Sequence, residues 1–205
     1  ATIFELMRDT GARVHLCRLS SAAGVELVRA AKAEGLPLTC DASIHQLHLI
    51  DVDIGYFDAA MRLVPPLRQQ RDRDAIRAAL ADGTIDALVS DHTPVGEDDK
   101  NLPFAEAAPG ATGLELLLGS ALKWGEASKL GLARTLATVT SRPAAVLARS
   151  IGASTTAPHG LAEGALADLC VFAPDESWTV DGTTLASRSH HTPFARHEMP
   201  GRVRC

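Results

Sequence analysis

The 205-residue sequence has no CxxC pair, no basic run, no internal repeat and no apolar stretch of membrane-spanning length. Each absence removes a class of function. The cysteines, Cys17, Cys40, Cys170 and Cys205, lie far apart, which argues against a zinc knuckle and predicts reduced, partly buried thiols in a cytoplasmic protein. A formal net charge of −5, with no arginine-rich face, argues against nucleic acid as a partner. A membrane span needs about 20 consecutive apolar residues, and neither such a run nor a signal-peptide pattern is visible.

What is present is a chain that is 46% hydrophobic, enough for one sizeable core. Its apolar periodicity alternates between helical and extended. Residues 1–10 read as a helix closed by Gly11, and Arg13–Leu19 as a strand. Ser20 or Ser21 caps a helix whose Val25, Leu27, Val28 and Ala31 make an apolar face up to Gly35. Leu36–Ala42 is predicted as the next strand, with Ser43-Ile44-His45 at its end, and Ala60–Val64 as a short third. Arg71–Ala81 forms a helix with Ile76, Ala79 and Leu80 inward, and Ile85–Val89 is a fourth strand. Further helices are expected over Gly113–Trp124 (Leu114, Leu117, Leu118 and Ala121 on one side), Leu130–Thr140 and Ala144–Ala148. The alternation predicts a parallel α/β architecture. Glu97-Asp98-Asp99-Lys100 reads as a solvated loop, and His159, His190, His191 and His197, in the linker and tail, as surface or sandwich residues.

The stretch 64–115 carries the most information. It contains Pro65-Pro66-Leu67-Arg68, then Asp82-Gly83-Thr84-Ile85-Asp86-Ala87-Leu88, then Asp91-His92-Thr93-Pro94-Val95, then Ala108-Pro109-Gly110-Ala111-Thr112-Gly113-Leu114-Glu115. In this order the four motifs closely resemble the dihydroorotases, cyclic amidohydrolases of the metal-dependent amidohydrolase superfamily. That family's corresponding pieces are a PPLR corner, a DGTIDAI strand, a DHAPH motif and an AxPGxxGLE segment. Farther on, residues 161–172 resemble the stretch with which amidohydrolases return to a small β-sandwich, and Ser189–Phe194 resembles that domain's SxNTPF segment.

The resemblance implies the C-terminal half of a (β/α)₈ TIM-type barrel over residues 1–150, with the following helices, and part of a small β-sandwich domain over residues 151–205. A whole barrel takes about 250 residues, so the chain is expected to be a C-terminal portion. Its open barrel edges would then need the N-terminal barrel half, and a homo- or hetero-oligomer is expected.

The resemblance also places the chemistry at strand ends. His45 matches a metal-ligand histidine of the family, and Asp91 its ligand aspartate, which also acts as general base and acid; Pro109 and Gly110 would border substrate. Where the family's HxxHxS run supplies another ligand histidine, this chain has Arg18. A guanidinium stays protonated and has no lone pair for a metal ion. By strand alternation His15, three residues earlier, faces away from Arg18 and reads as a packed, hydrogen-bonded histidine. Gln46 replaces a second histidine, Val95 a substrate-contacting one, and Val64 an asparagine that binds the ring, whereas His92 is retained in a supporting role.

Scaffold motifs are thus kept while catalytic-side positions change. The pattern resembles that of the inactive dihydroorotase-like subunits associated with aspartate transcarbamoylase, and the resemblance implies a noncatalytic partner of that enzyme and no zinc. The alternatives are an active zinc dihydroorotase, interconverting N-carbamoyl-aspartate and dihydroorotate, and a related amidohydrolase of a hydantoin or allantoin ring.

Overall fold

The computed structural model describes residues 2–151, 163–164 and 167–204. Helix α1, Thr2–Thr10, buries Phe4 and Met7 and stops at Gly11, which takes a left-handed φ of 67° and donates its N–H to the Met7 carbonyl. Strand β1 is Val14–Leu16, and α2 is Ala22–Ala33, capped by the Ser21 hydroxyl, which accepts the Gly24 N–H at 3.1 Å. Strand β2, Leu38–Ser43, runs directly into α3, Ile44–His48. Helix α4, Gln70–Asp82, ends at Gly83, also left-handed, before β3, Ala87–Val89. Then come α5, Glu97–Lys100; α6, Leu117–Ala127; α7, Leu132–Ala137; and α8, Ser141–Ile151. Two longer strands follow, β4, Phe172–Thr179, and β5, Glu198–Val203.

The first three strands form one parallel sheet in the order β1-β2-β3, with His15 opposite Thr39 and Ser43 opposite Val89. The central strand β2 is almost wholly buried, as expected for parallel strands covered on both faces. Val25 and Val28 of α2, Ile76 and Leu80 of α4, and Ile44, Leu47, Leu116 and Trp124 build the core around it. An ion pair fixes the register. Lys32 Nζ lies 2.5 Å from Asp86 Oδ2, which also accepts the Cys40 N–H at 2.8 Å, so α2 and β2 meet on the residue that leads into β3.

Strands β4 and β5 pair antiparallel, with an irregular register between Ala173 and Ser177. Strand β5 lies close against α6. A Cβ on Gly119 would sit 2.9 Å from the Met199 Cβ, so only glycine admits this approach.

The mixed α/β class agrees with expectation, but several elements differ. Ala60–Val64 is no strand: Asp58 caps a 3₁₀ turn over Ala59–Met61, and the chain then passes through a cis Val64–Pro65 bond. Among the described residues the parallel sheet therefore has three strands, and the one ending in Ser43 is the direct neighbour of the one leading to Asp91. The strand expected over Arg13–Leu19 is cut to three residues because Arg18 adopts φ 57°. Leu27 and Leu114 are 51% and 59% exposed, so neither joins its helix's buried face. Glu97–Lys100 is a helical turn and not a loop; Glu97, Asp98 and Asp99 are solvent-exposed, but Lys100 is buried and donates to the Ala59 carbonyl at 2.8 Å. Residues 152–160 and four residues of the return motif at 161–172 lie outside the described residues.

Candidate active site

The C-terminal ends of the three parallel strands bring together Arg18, Asp41 and Asp91. Both Arg18 and Asp91 leave their strands in left-handed conformations, φ 57° and 48°. Such backbone costs on the order of 1–3 kcal/mol at a non-glycine residue and persists only where neighbours hold it. The holding contacts are clear. The Arg18 N–H donates to Asp41 Oδ1 at 2.7 Å, and the next N–H, of Leu19, to the Asp41 carbonyl at 2.9 Å.

The Arg18 guanidinium then reaches over the site. Its Nη1 donates to the Val64 carbonyl at 2.9 Å and to Asp91 Oδ1 at 3.3 Å. Asp91 is 10% exposed at its side chain and Arg18 is 41%. Burial raises the Asp91 carboxyl above the ordinary carboxylate range, the Arg18 charge and hydrogen bond pull it back, and Asp41 pushes it up again. Because the guanidinium is open to solvent, the pair contributes no more than about 1 kcal/mol to stability. Its consequence is chemical: a fixed cation already occupies one oxygen of the expected metal-binding carboxylate.

His45 lies in the first turn of α3, fully buried and stacked on Phe194 at 5.6 Å between centroids. Neither ring nitrogen makes a hydrogen bond of normal geometry. Burial lowers its pKa to about 4, offset only in part by the nearby Asp91 main chain. Its neighbour His48, edge-on to the same Phe194, donates its Nε2–H to the Ser120 carbonyl at 2.9 Å and is likewise lowered to about 4 by burial.

His15 does not stand apart from Arg18 as alternation would have it. The strand stops at Leu16, so periodicity no longer governs Arg18, and both residues converge on Asp41. His15 is hydrogen-bonded on both sides, Nδ1 to Thr39 Oγ1 at 2.7 Å and Nε2 to Asp41 Oδ2 at 2.8 Å.

The remaining motif residues shape loops. His92 Nδ1 accepts the N–H groups of Gly113 and Leu114 at 3.2 and 3.3 Å, tying the strand end to the glycine-rich segment. Gly113 has to be glycine, since a Cβ there would meet the Ser90 carbonyl oxygen at 2.4 Å. Gly110, at φ 139°, packs on Thr93 and Val95 and donates its N–H to the Arg62 carbonyl at 2.9 Å, while Pro109 is exposed. Val95 is buried and Val64 exposed. Gln46 is buried and donates to the Pro65 carbonyl at 2.9 Å, fastening α3 to the Pro-Pro corner.

The residues at the expected positions do not fit a divalent metal ion. His45 could offer a neutral nitrogen and Asp91 a carboxylate oxygen, yet Arg18 brings a permanent positive charge and no lone pair to the same strand ends. Among the described residues, the three ligand-type side chains whose donor atoms lie within 4.8 Å of one another are His15, Cys17 and Asp41. Cys17 and Asp41 were not singled out from sequence, and the signal that could have found them is the β1–β2 register.

No family model matches the chain. A dihydroorotase-like protein of Pseudomonas aeruginosa is 40% identical over 199 residues, covering 97% of this chain and 45% of that protein. A dihydroorotase of Mycobacterium tuberculosis is 40% identical over 198 residues, with the same coverage of 97% and 45%. The chain thus spans about 45% of the length of these relatives. Among solved structures, an L-hydantoinase (dihydropyrimidinase) from Arthrobacter aurescens superposes with a TM-score of 0.85 at 26% identity, covering 98% of this chain and 44% of that one. A D-hydantoinase from Thermus sp. gives a TM-score of 0.84 at 23% identity, over 98% and 44%. Over the length it shares with these relatives, the chain belongs to the dihydroorotase family of the amidohydrolase superfamily.

Proposed function

We propose that this chain is part of a dihydroorotase-family protein of pyrimidine biosynthesis that has lost metal-dependent catalysis and serves as a noncatalytic partner of aspartate transcarbamoylase. The observation that carries the reading is the 3.3 Å contact between Arg18 Nη1 and Asp91 Oδ1. Any general acid–base role for Asp91 needs a carboxylate free to move a proton to and from a metal-activated water. Here the carboxylate is already paired with a cation that cannot deprotonate.

We infer further that the β1-β2-β3 sheet is the last part of a (β/α)₈ barrel, with β4 and β5 belonging to a small accompanying β-sandwich domain. Among the described residues, β1 and β3 each have a single strand neighbour. Further strands pairing with those edges would remove exposed backbone donors and acceptors.

The test is assembly. The intact protein mixed with its aspartate transcarbamoylase should elute as one complex on size-exclusion chromatography, and separate elution at micromolar concentrations would count against the partner role. A second reading, an active zinc dihydroorotase, draws on a specific feature, the two unpartnered ring nitrogens of His45. It requires a metal bound beside Arg18, and turnover that Asp91→Ala abolishes would establish it.

A further inference from the structure

The ends of β1 and β2 carry donor side chains that the proposed function does not use. His15 lies in β1 and Cys17 is the first residue past the strand's end at Leu16, and the donor atoms of both come close to Asp41. The parallel register sets His15 beside Thr39 and Leu16 beside Cys40, which brings Asp41 next to Cys17. The result is a nitrogen, a sulfur and an oxygen donor, all within 4.8 Å of one another, at the mouth of the sheet. Asp41 is buried, His15 is partly covered and Cys17 is exposed, so the cluster has a fixed floor and an open side.

We propose that His15 Nε2, Cys17 Sγ and an Asp41 carboxylate oxygen bind a divalent transition-metal ion of the zinc–cobalt class, at a position separate from the His45 and Asp91 pair. Three mixed N, S and O donors with a fourth side open to solvent match the tetrahedral preference of such ions. The neighbours are arranged to support this. Arg18 occupies Asp41 Oδ1 through its main-chain N–H, leaving Oδ2 facing His15 at 2.8 Å. Its guanidinium is directed instead to Val64 and Asp91. Thr39 Oγ1, 2.7 Å from His15 Nδ1, would accept a hydrogen bond from Nδ1–H and hold the tautomer whose Nε2 lone pair faces the ion.

The proton balance is simple. Binding breaks the Cys17 S–H bond, forms a metal–sulfur bond and releases one proton to solvent. Neutral His15 moves its proton from Nε2 to Nδ1 with no net loss. One thiolate and one carboxylate then balance the dication.

Cobalt(II) titration of the metal-stripped intact protein tests the site directly. A sulfur-to-cobalt charge-transfer band should grow in and saturate at one equivalent. It should vanish in Cys17→Ser and persist in His45→Gln, and Thr39→Val should weaken binding about tenfold. Circular dichroism of the Cys17→Ser protein checks that the fold is kept. Absence of the band in the wild type, its survival in Cys17→Ser, or its loss in His45→Gln would overturn the assignment. The readout is independent of catalysis and of assembly.

Discussion

Acid should loosen the packing around Phe194 before it titrates most carboxylates. His45 and His48 both contact that ring, both are buried, and each is lowered from 6.5 to about 4. A histidine whose folded pKa lies below its unfolded value binds its proton more readily in the unfolded chain. Stability is therefore full above about pH 6.5 and falls as pH drops toward 4. The complete difference is worth about 3 kcal/mol for each imidazole, of which about 2 kcal/mol is lost between pH 7 and pH 5. Asp82 and Asp181 are held below the usual carboxylate range and so contribute little in that window. The assay is urea unfolding of the intact protein at half-unit steps from pH 7 to pH 5. His48→Gln should flatten the pH dependence by about 2 kcal/mol across the window. An unfolding free energy that does not change between pH 7 and pH 5, or one whose slope is the same in His48→Gln, would refute the reasoning.

Other perturbations have equally definite outcomes. Gly113→Ala would drive a Cβ to 2.4 Å from the Ser90 carbonyl oxygen and must displace the loop, lowering the melting temperature by several degrees for each kcal/mol lost. Leu80→Ala, at a fully buried position of α4, should cost about 2–5 kcal/mol in urea unfolding, whereas Leu27→Ala on the exposed face of α2 should cost far less. Arg18→Ala removes an ion pair whose guanidinium is open to solvent, so stability should change by no more than about 1 kcal/mol. The same substitution should raise the Asp91 pKa further, readable in the carboxyl carbon shift by NMR, since Arg18 pulls it down more than the Ser43 hydrogen bond does.

The scaffold was legible because its signals are local. Ser21 caps α2, Gly11 and Gly83 close their helices, and the apolar spacing of Ile76, Ala79 and Leu80 gives the buried face of α4. What sequence could not show were consequences of two left-handed residues and of strand pairing. Arg18 is neither Gly nor Asn, so nothing marks φ 57° in advance, and alternation was carried past the point where the strand ends. Ala60–Val64 has strand-like composition but joins no sheet, because β2 pairs directly with β3. Lys100 reads as a surface charge until the carbonyls of Ala59 and Arg62 are seen around its ammonium group. His45 matched a ligand motif, yet its stacking on Phe194 joins residues far apart in the chain and has no local signature.

The most direct test of the account is a dihydroorotate hydrolysis and cyclisation assay on the intact protein, run beside its Asp91→Ala variant with zinc supplied. With Arg18 holding the carboxylate, the two proteins should show the same background rate. Turnover in the wild type that Asp91→Ala abolishes would contradict it.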